Sequence, residues 1–157
     1  MDHDRSAPFR KFHDYRWEEV AHLPYKEDGA VPFKSVTRQV LFHEPGMGCE
    51  LRYFEVDAGG FSTLERHEHA HAVLILRGRG DAMVGSEIRA VETNDLVAVP
   101  PWAWHQFRAT AGAPLGFLCM VNALRDKPQL PTDGELAGMR ANADVADFLS
   151  NANKWRE

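Results

Sequence analysis

Cysteine is scarce in this chain: Cys49 and Cys119 are the only two among 157 residues. Two are too few for a disulfide framework and fit no zinc-knuckle spacing, so buried, reduced thiols in apolar strand-like runs are expected. No apolar run approaches the roughly 18 residues of a membrane span, and Met1-Asp2-His3-Asp4-Arg5 leads into no signal-like stretch. The protein is therefore expected to be soluble and cytoplasmic, without a membrane partner. Basic charge is also in deficit, with 18 Lys and Arg against 23 Asp and Glu for a net charge of -5. A nucleic-acid partner is not expected, because no basic face is available to neutralise phosphates. Repeats and low-complexity tracts are absent, and the length allows one domain with a real core but not a barrel plus a second folded module.

What is present is a concentration of metal donors. Glu65-Arg66-His67-Glu68-His69-Ala70-His71 is followed directly by an apolar run from Val73 that closes at Gly78 and Gly80. On a strand, side chains at i and i+2 share a face about 6.6 Å apart, close enough for one cation with bonds of about 2.1 Å to gather both. Residues six apart would be separated by roughly 20 Å, so Glu65 and His71 share an ion only if the chain reverses between them. The bend belongs at residues 68–70. Glu65 and His67 then precede it, His71 follows it, and His69 sits near its tip pointing elsewhere, with Glu68 and His69 read as a solvated turn. A fourth donor has to come from a distant segment, and His105, beyond Pro100-Pro101, is the candidate.

Many short apolar segments separated by turn residues predict an all-β chain, a β-barrel or jelly roll. Strands are expected at 33–42, 48–56, 61–67, 71–76, 81–84, 87–91, 96–99, 105–109 and 115–121, with turns at Glu44-Pro45-Gly46 and Ala58-Gly59-Gly60 and a tight hairpin at Gly85-Ser86. Residues 1–35 read as an extended arm, 36–125 as the barrel and 126–157 as a tail. In the tail, Thr132-Asp133-Gly134-Glu135 offers a helix start and a break near Asn142-Ala143-Asp144 divides one or two short helices. If His71 points inward, so do Val73 and Ile75, and Phe107 follows His105. Phe117 and Cys119 are assigned to the same pocket. Arg52 and Arg77 are read as outward charges, and Trp102 and Trp104 as core or interface. The outward set Ala72, Leu74 and Leu76 is apolar as well and needs a cover, from the arm, a second sheet or a partner in a homodimer.

The two donor segments resemble the cupin superfamily. Counting back from Gly78, the family's usual glutamate slot falls on His71 and its His-x-His pair on Glu65 and His67, so the donor types survive with their order changed. Pro100-Pro101 matches the second motif's proline turn, His105 matches its metal histidine, and Asn94 stands where a glycine is usual. The resemblance implies a double-stranded β-helix, a jelly-roll barrel between the arm and the C-terminal helices, and commonly a dimer. It also implies one divalent transition metal ion, Fe, Mn, Ni, Cu or Zn, held by Glu65, His67, His71 and His105.

Four protein ligands on an octahedral ion leave two positions open, which suits a small-molecule substrate or substrate plus dioxygen. The leading expectation is thus a metal-dependent oxidoreductase, a dioxygenase. The alternatives are an isomerase or lyase that uses the ion as a Lewis acid and a metal-containing binding protein without turnover. One fold hosts all three.

Overall fold

The structure is a computed structural model, and it describes residues 8–25 and 34–150. Three two-residue strands lie in the N-terminal arm: β1 (Phe12–His13), β2 (Arg16–Trp17) and β3 (Leu23–Pro24). The body is built from β4 (Lys34–His43), β5 (Cys49–Phe61), β6 (His71–Arg77), β7 (Arg79–Val84), β8 (Glu87–Glu92), β9 (Leu96–Val99), β10 (His105–Ala109) and β11 (Leu115–Asn122). They form one curled antiparallel sheet in the order β8-β7-β10-β5-β11-β6-β9, with β4 paired to β5 and β3 to β4. Helices α1 (Asp133–Arg140) and α2 (Ala143–Ser150) follow. Among the described residues no helix is long and apolar enough to cross a membrane.

Sequence and structure part at Ala58-Gly59-Gly60. The expected turn there is absent, and β5 runs through the glycines for 13 residues. Gly59 takes φ +70°, which glycine tolerates without penalty. The strand leaves its pairing with β11 at Val56 and pairs with β10 at Phe61. The strand expected at 61–67 is accordingly replaced by an irregular segment held by single bridges, Glu65 to His105 and Arg66 to Gln129. The hairpin at Gly85 joins β7 to β8 as expected, with Gly85 at φ +64°.

Alternation sorts the side chains. Val36, Phe54, Val56, Val73, Ile75, Phe107, Leu115, Phe117 and Cys119 belong to one buried cluster inside the barrel. A second cluster forms where Val145 and Phe148 of α2 meet Met83 beside Leu64, Ile88 and Trp104. The first tail helix begins with a capping box, Thr132 taking the Glu135 N–H while the Glu135 carboxylate takes the Thr132 N–H. The arm covers the outside of β5, where Tyr15 and Trp17 pack on the buried Tyr53 and Gln39 donates to the Tyr15 carbonyl. Among the described residues of the arm none covers the apolar set on β6: Leu74 is 38% exposed, and Leu96 and Met120 nearby are 69% and 55%.

Candidate metal centre and its cavity

Three imidazoles converge at one end of the barrel. His71 opens β6, His105 opens β10, and His67 stands just before the bend at residues 68–69. Pro100-Pro101 ends β9, since proline offers no N–H to a neighbouring strand. The turn that follows brings Trp102 N–H to the His67 carbonyl at 2.8 Å, while Glu65 and His105 exchange backbone bonds of 3.0 and 3.3 Å. The two sequence motifs are thereby bound to each other through their main chains before any side chain is considered. Ring centroids of His67, His71 and His105 are separated by 4.8, 5.0 and 5.1 Å.

The hydrogen bonds fix which nitrogen is free. His67 Nδ1 lies 2.7 Å from the His69 carbonyl and His105 Nδ1 lies 2.9 Å from the Ala103 carbonyl. A carbonyl only accepts, so both rings carry their proton on Nδ1 and present an Nε2 lone pair. His71 Nε2 faces His105 Nε2 at 3.4 Å, and His71 Nδ1 lies 3.1 Å from Cys119 Sγ. Burial, with His105 and His67 close by, pushes His71 down to about 2, and burial with His69 beside it lowers His67. Neutral imidazoles are the form that binds metals. Donor atoms of these three residues lie within 4.8 Å of one another, a set that fits a divalent transition ion in donor type, protonation and spacing.

The bend expected at 68–70 is where the chain reverses. Glu68 is exposed as expected, but His69 is not a solvated turn residue: its side chain is 9% exposed. It stacks flat on His67 with 3.6 Å between centroids and its Nδ1 meets Asp126 Oδ1 at 2.7 Å. Asp126 also takes the backbone N–H groups of Glu68 and His69, and those bonds hold its carboxyl well below the usual carboxylate range. Through His69 O, this clasp reaches the Nδ1 of His67. Glu65 lines the same cavity, outside the trio of mutually close donors.

The cavity around the trio is lined by Phe107, Phe117 and Cys119, and also by Arg38, Arg52, Thr63 and Arg125. Val73 and Ile75 share the inner face but are fully buried in the core cluster and do not line it. Trp102 is 46% exposed, Trp104 joins the α2 cluster, and neither lines the cavity. Arg77 faces outward as expected, bonded to Glu55 and stacked over Tyr15.

Arg52 corrects its expectation. It is 7% exposed and inward, because β5 puts Glu50, Arg52, Phe54 and Val56 on the barrel's inner face. Arg125 is bonded to Glu50 at 2.8 Å, whereas Arg52 Nε stands 3.7 Å from the same carboxylate, too far for a hydrogen bond. Four buried side-chain polar atoms lack a hydrogen-bond partner among the described residues, and three of them, Arg38 Nε, Arg52 Nε and Thr63 Oγ1, belong to this cavity. Leaving such groups unmet costs about 1–3 kcal/mol each, and three of the four lie on side chains of this one cavity wall.

A comparison with known proteins agrees with the geometry. The cupin domain profile matches residues 52–121. A protein of Rhodospirillum rubrum named 1-methylthio-D-xylulose 5-phosphate methylsulfurylase is 62% identical over 149 residues, covering 94% of this chain and 96% of its own. Among solved structures, a cupin-2 domain protein from Rhodospirillum rubrum superposes with a TM-score of 0.84 at 62% identity, over 92% of this chain and 98% of that one. A cupin 2 conserved barrel domain protein from Rhodopseudomonas palustris gives 0.85 at 55% identity, over 89% and 97%.

Proposed function

The chain belongs to the cupin family, and from that premise we propose that it is a metal-dependent enzyme that removes a methylthio group from a phosphorylated ketose. The Rhodospirillum relative's name supplies the substrate class. The observation that carries the reading is one cavity holding both a metal-type histidine trio and buried guanidinium groups with unmet N–H donors. A ketose phosphate has the complementary ends: neighbouring oxygens for the ion and a dianion for arginine.

His67, His71 and His105 would hold the ion, with Glu65 as fourth ligand. Such an ion would supply Lewis-acid polarisation of the ketone next to the carbon that bears sulfur. Among the chemistries expected from the sequence, this is the non-redox use of the centre. Transfer of the methylthio sulfur to a small thiol forms a sulfur–sulfur bond as the sulfur–C1 bond breaks, leaves the electron pair on the ketose as an enolate that is protonated at C1, and needs no dioxygen. Arg38 is assigned to the phosphate, because Arg52 and Arg125 are already turned toward Glu50. Phe107 and Phe117 exclude water from the reacting end. A second copy of the chain covering Leu74, Leu96 and Met120 belongs to the same reading.

The test is turnover of 1-methylthio-D-xylulose 5-phosphate by protein loaded with a single divalent ion, under nitrogen and in the presence of a small thiol. Formation of the 1-deoxy ketose phosphate at an unchanged rate without oxygen is expected. Strict dependence on oxygen, or no reaction with any ion, overturns the proposal.

A further inference from the structure

Between β5 and the bend at residues 68–69 the cavity wall is a single stretch of chain without a ladder. Isolated bridges hold it, Glu65 to His105 on one side and Arg66 to Gln129 on the other. Its side chains still alternate. Thr63, Glu65 and His67 line the cavity, while Leu64 packs against the α2 cluster and Arg66 turns to the segment that leads into α1.

Arg66 joins this wall to its surroundings. Its N–H donates to the Gln129 carbonyl at 3.1 Å, and the Gln129 N–H returns a bond to the Arg66 carbonyl at 2.8 Å. In the side chain, Nε donates to Gln129 Oε1 at 3.2 Å and Nη2 to Glu135 Oε1 at 2.9 Å. The guanidinium stands 4.5 Å over the ring of Trp104, the residue before His105. The other Glu135 oxygen closes the capping box, taking the Thr132 N–H at 2.9 Å. One planar fork therefore touches the donor run, the proline-turn motif and the first turn of the tail.

The tail depends on such an attachment. Helices α1 and α2 have eight residues each, too few to hold in water by themselves, and α1 has no buried residue. Docking against Leu64, Arg66 and Trp104 makes the tail a folded element, and undocking frees the outer side of the chain that carries Glu65 and His67. A partly exposed ion pair adds little to global stability; what Arg66 connects matters more than how strongly it is held.

We propose that Arg66 is a positioning residue that couples docking of the tail to the metal centre. The inference rests on the histidine trio as a metal site and not on the identity of the substrate. Arg66 anchors the backbone from which Glu65 and His67 enter the cavity, so the docked tail favours the donor geometry. Coupling between two sites is reciprocal: an ion on the trio holds the tail down by the same factor by which the tail raises affinity for the ion. The sign separates this role from electrostatics. Removing a positive charge near a cation strengthens binding through Coulomb's law, whereas removing a support weakens it.

The test uses the full chain with one divalent ion, Mn2+ or Co2+, as the probe. In the wild type the ion should slow amide hydrogen exchange across residues 133–150. Arg66→Met keeps an apolar stem over Trp104 and loses every donor of the fork. It should bind the ion about tenfold more weakly, and the ion should no longer slow exchange in the helices. Its melting temperature should fall further with the ion than without it, since a merely structural loss lowers both melts alike. Arg66→Lys keeps the charge but not the fork and should lose about two- to fivefold in affinity; it carries the test if Arg66→Met does not fold. Unchanged or tighter binding by the folded variant, or wild-type helices whose exchange ignores the bound ion, overturns the coupling and leaves the metal centre standing. A wild type that binds neither ion overturns both.

Discussion

The inner wall of the barrel has two ends, built from the same strands and opposite in character. On β6 the inward sequence is His71, Val73, Ile75; on β10 it is His105, Phe107, Ala109. On β11, read backwards, it is Val121, Cys119, Phe117, Leu115, and on β5 it is Glu50, Arg52, Phe54, Val56. β6, β10 and β5 pass from polar side chains to aliphatic ones in one to three steps of about 6.6 Å, and β11 passes from Cys119 to Leu115 in two. At the aliphatic end Val56, Ile75 and Leu115 are wholly excluded from solvent. At the other end three buried side-chain polar atoms have no partner among the described residues. One end is finished by packing; the other carries polar groups that packing leaves unmet. The strands therefore hold the site's geometry from below, and the cost of its unmet polar atoms is offset where nothing reacts.

Substitutions at the two ends should separate binding from stability. The largest effect is expected from His105→Ala, which removes a donor and breaks the trio. Metal affinity should fall more than about a hundredfold, beyond the 10–100-fold loss typical of a group that merely orients a ligand. The added metal should also cease to raise the melting temperature. Metal content after dialysis and a thermal melt with and without ion check this; undiminished occupancy would mean that the trio is not the centre.

Leu115→Ala, at the packed end, should cost about 2–5 kcal/mol in denaturant unfolding with full metal stoichiometry in the folded fraction. Loss of metal in stably folded protein would show that the two ends are not separable in this way.

The smallest effect belongs to Arg38→Gln. Loss of a charge-assisted contact of about 1.5–3 kcal/mol corresponds to a rise of roughly ten- to a hundredfold in KM for the phosphorylated ketose, with kcat nearly unchanged. Steady-state kinetics decide it, and an unaltered KM would move the phosphate elsewhere in the cavity.

The histidine trio and the proline turn were readable in the sequence because each rests on short-range constraints. The reversal before His71 and the proline pair before His105 are both local, whereas the expected strand that would carry Glu65 and His67 two apart is irregular in the structure. The helices of the tail were readable for the same reason, from a capping box and a break at residues 142–144. What failed was long-range. Gly59 and Gly60 look like a turn, and only the pairing of β5 with two different neighbours shows that they bend a continuous strand. The inward direction of Arg52 depends on its register opposite Cys119, which no local pattern discloses. Asp126 offered no signal at all: it lies in an irregular segment after β11, 57 residues from the His69 that it holds.

That clasp has a practical bearing on anyone who would move this centre into another scaffold. Grafting the seven-residue donor run with the proline turn would transplant every nitrogen and still omit the carboxylate that keeps the run folded back. A transplant faithful to the original would carry Asp126 too, as a third fragment contributing no donor to the ion.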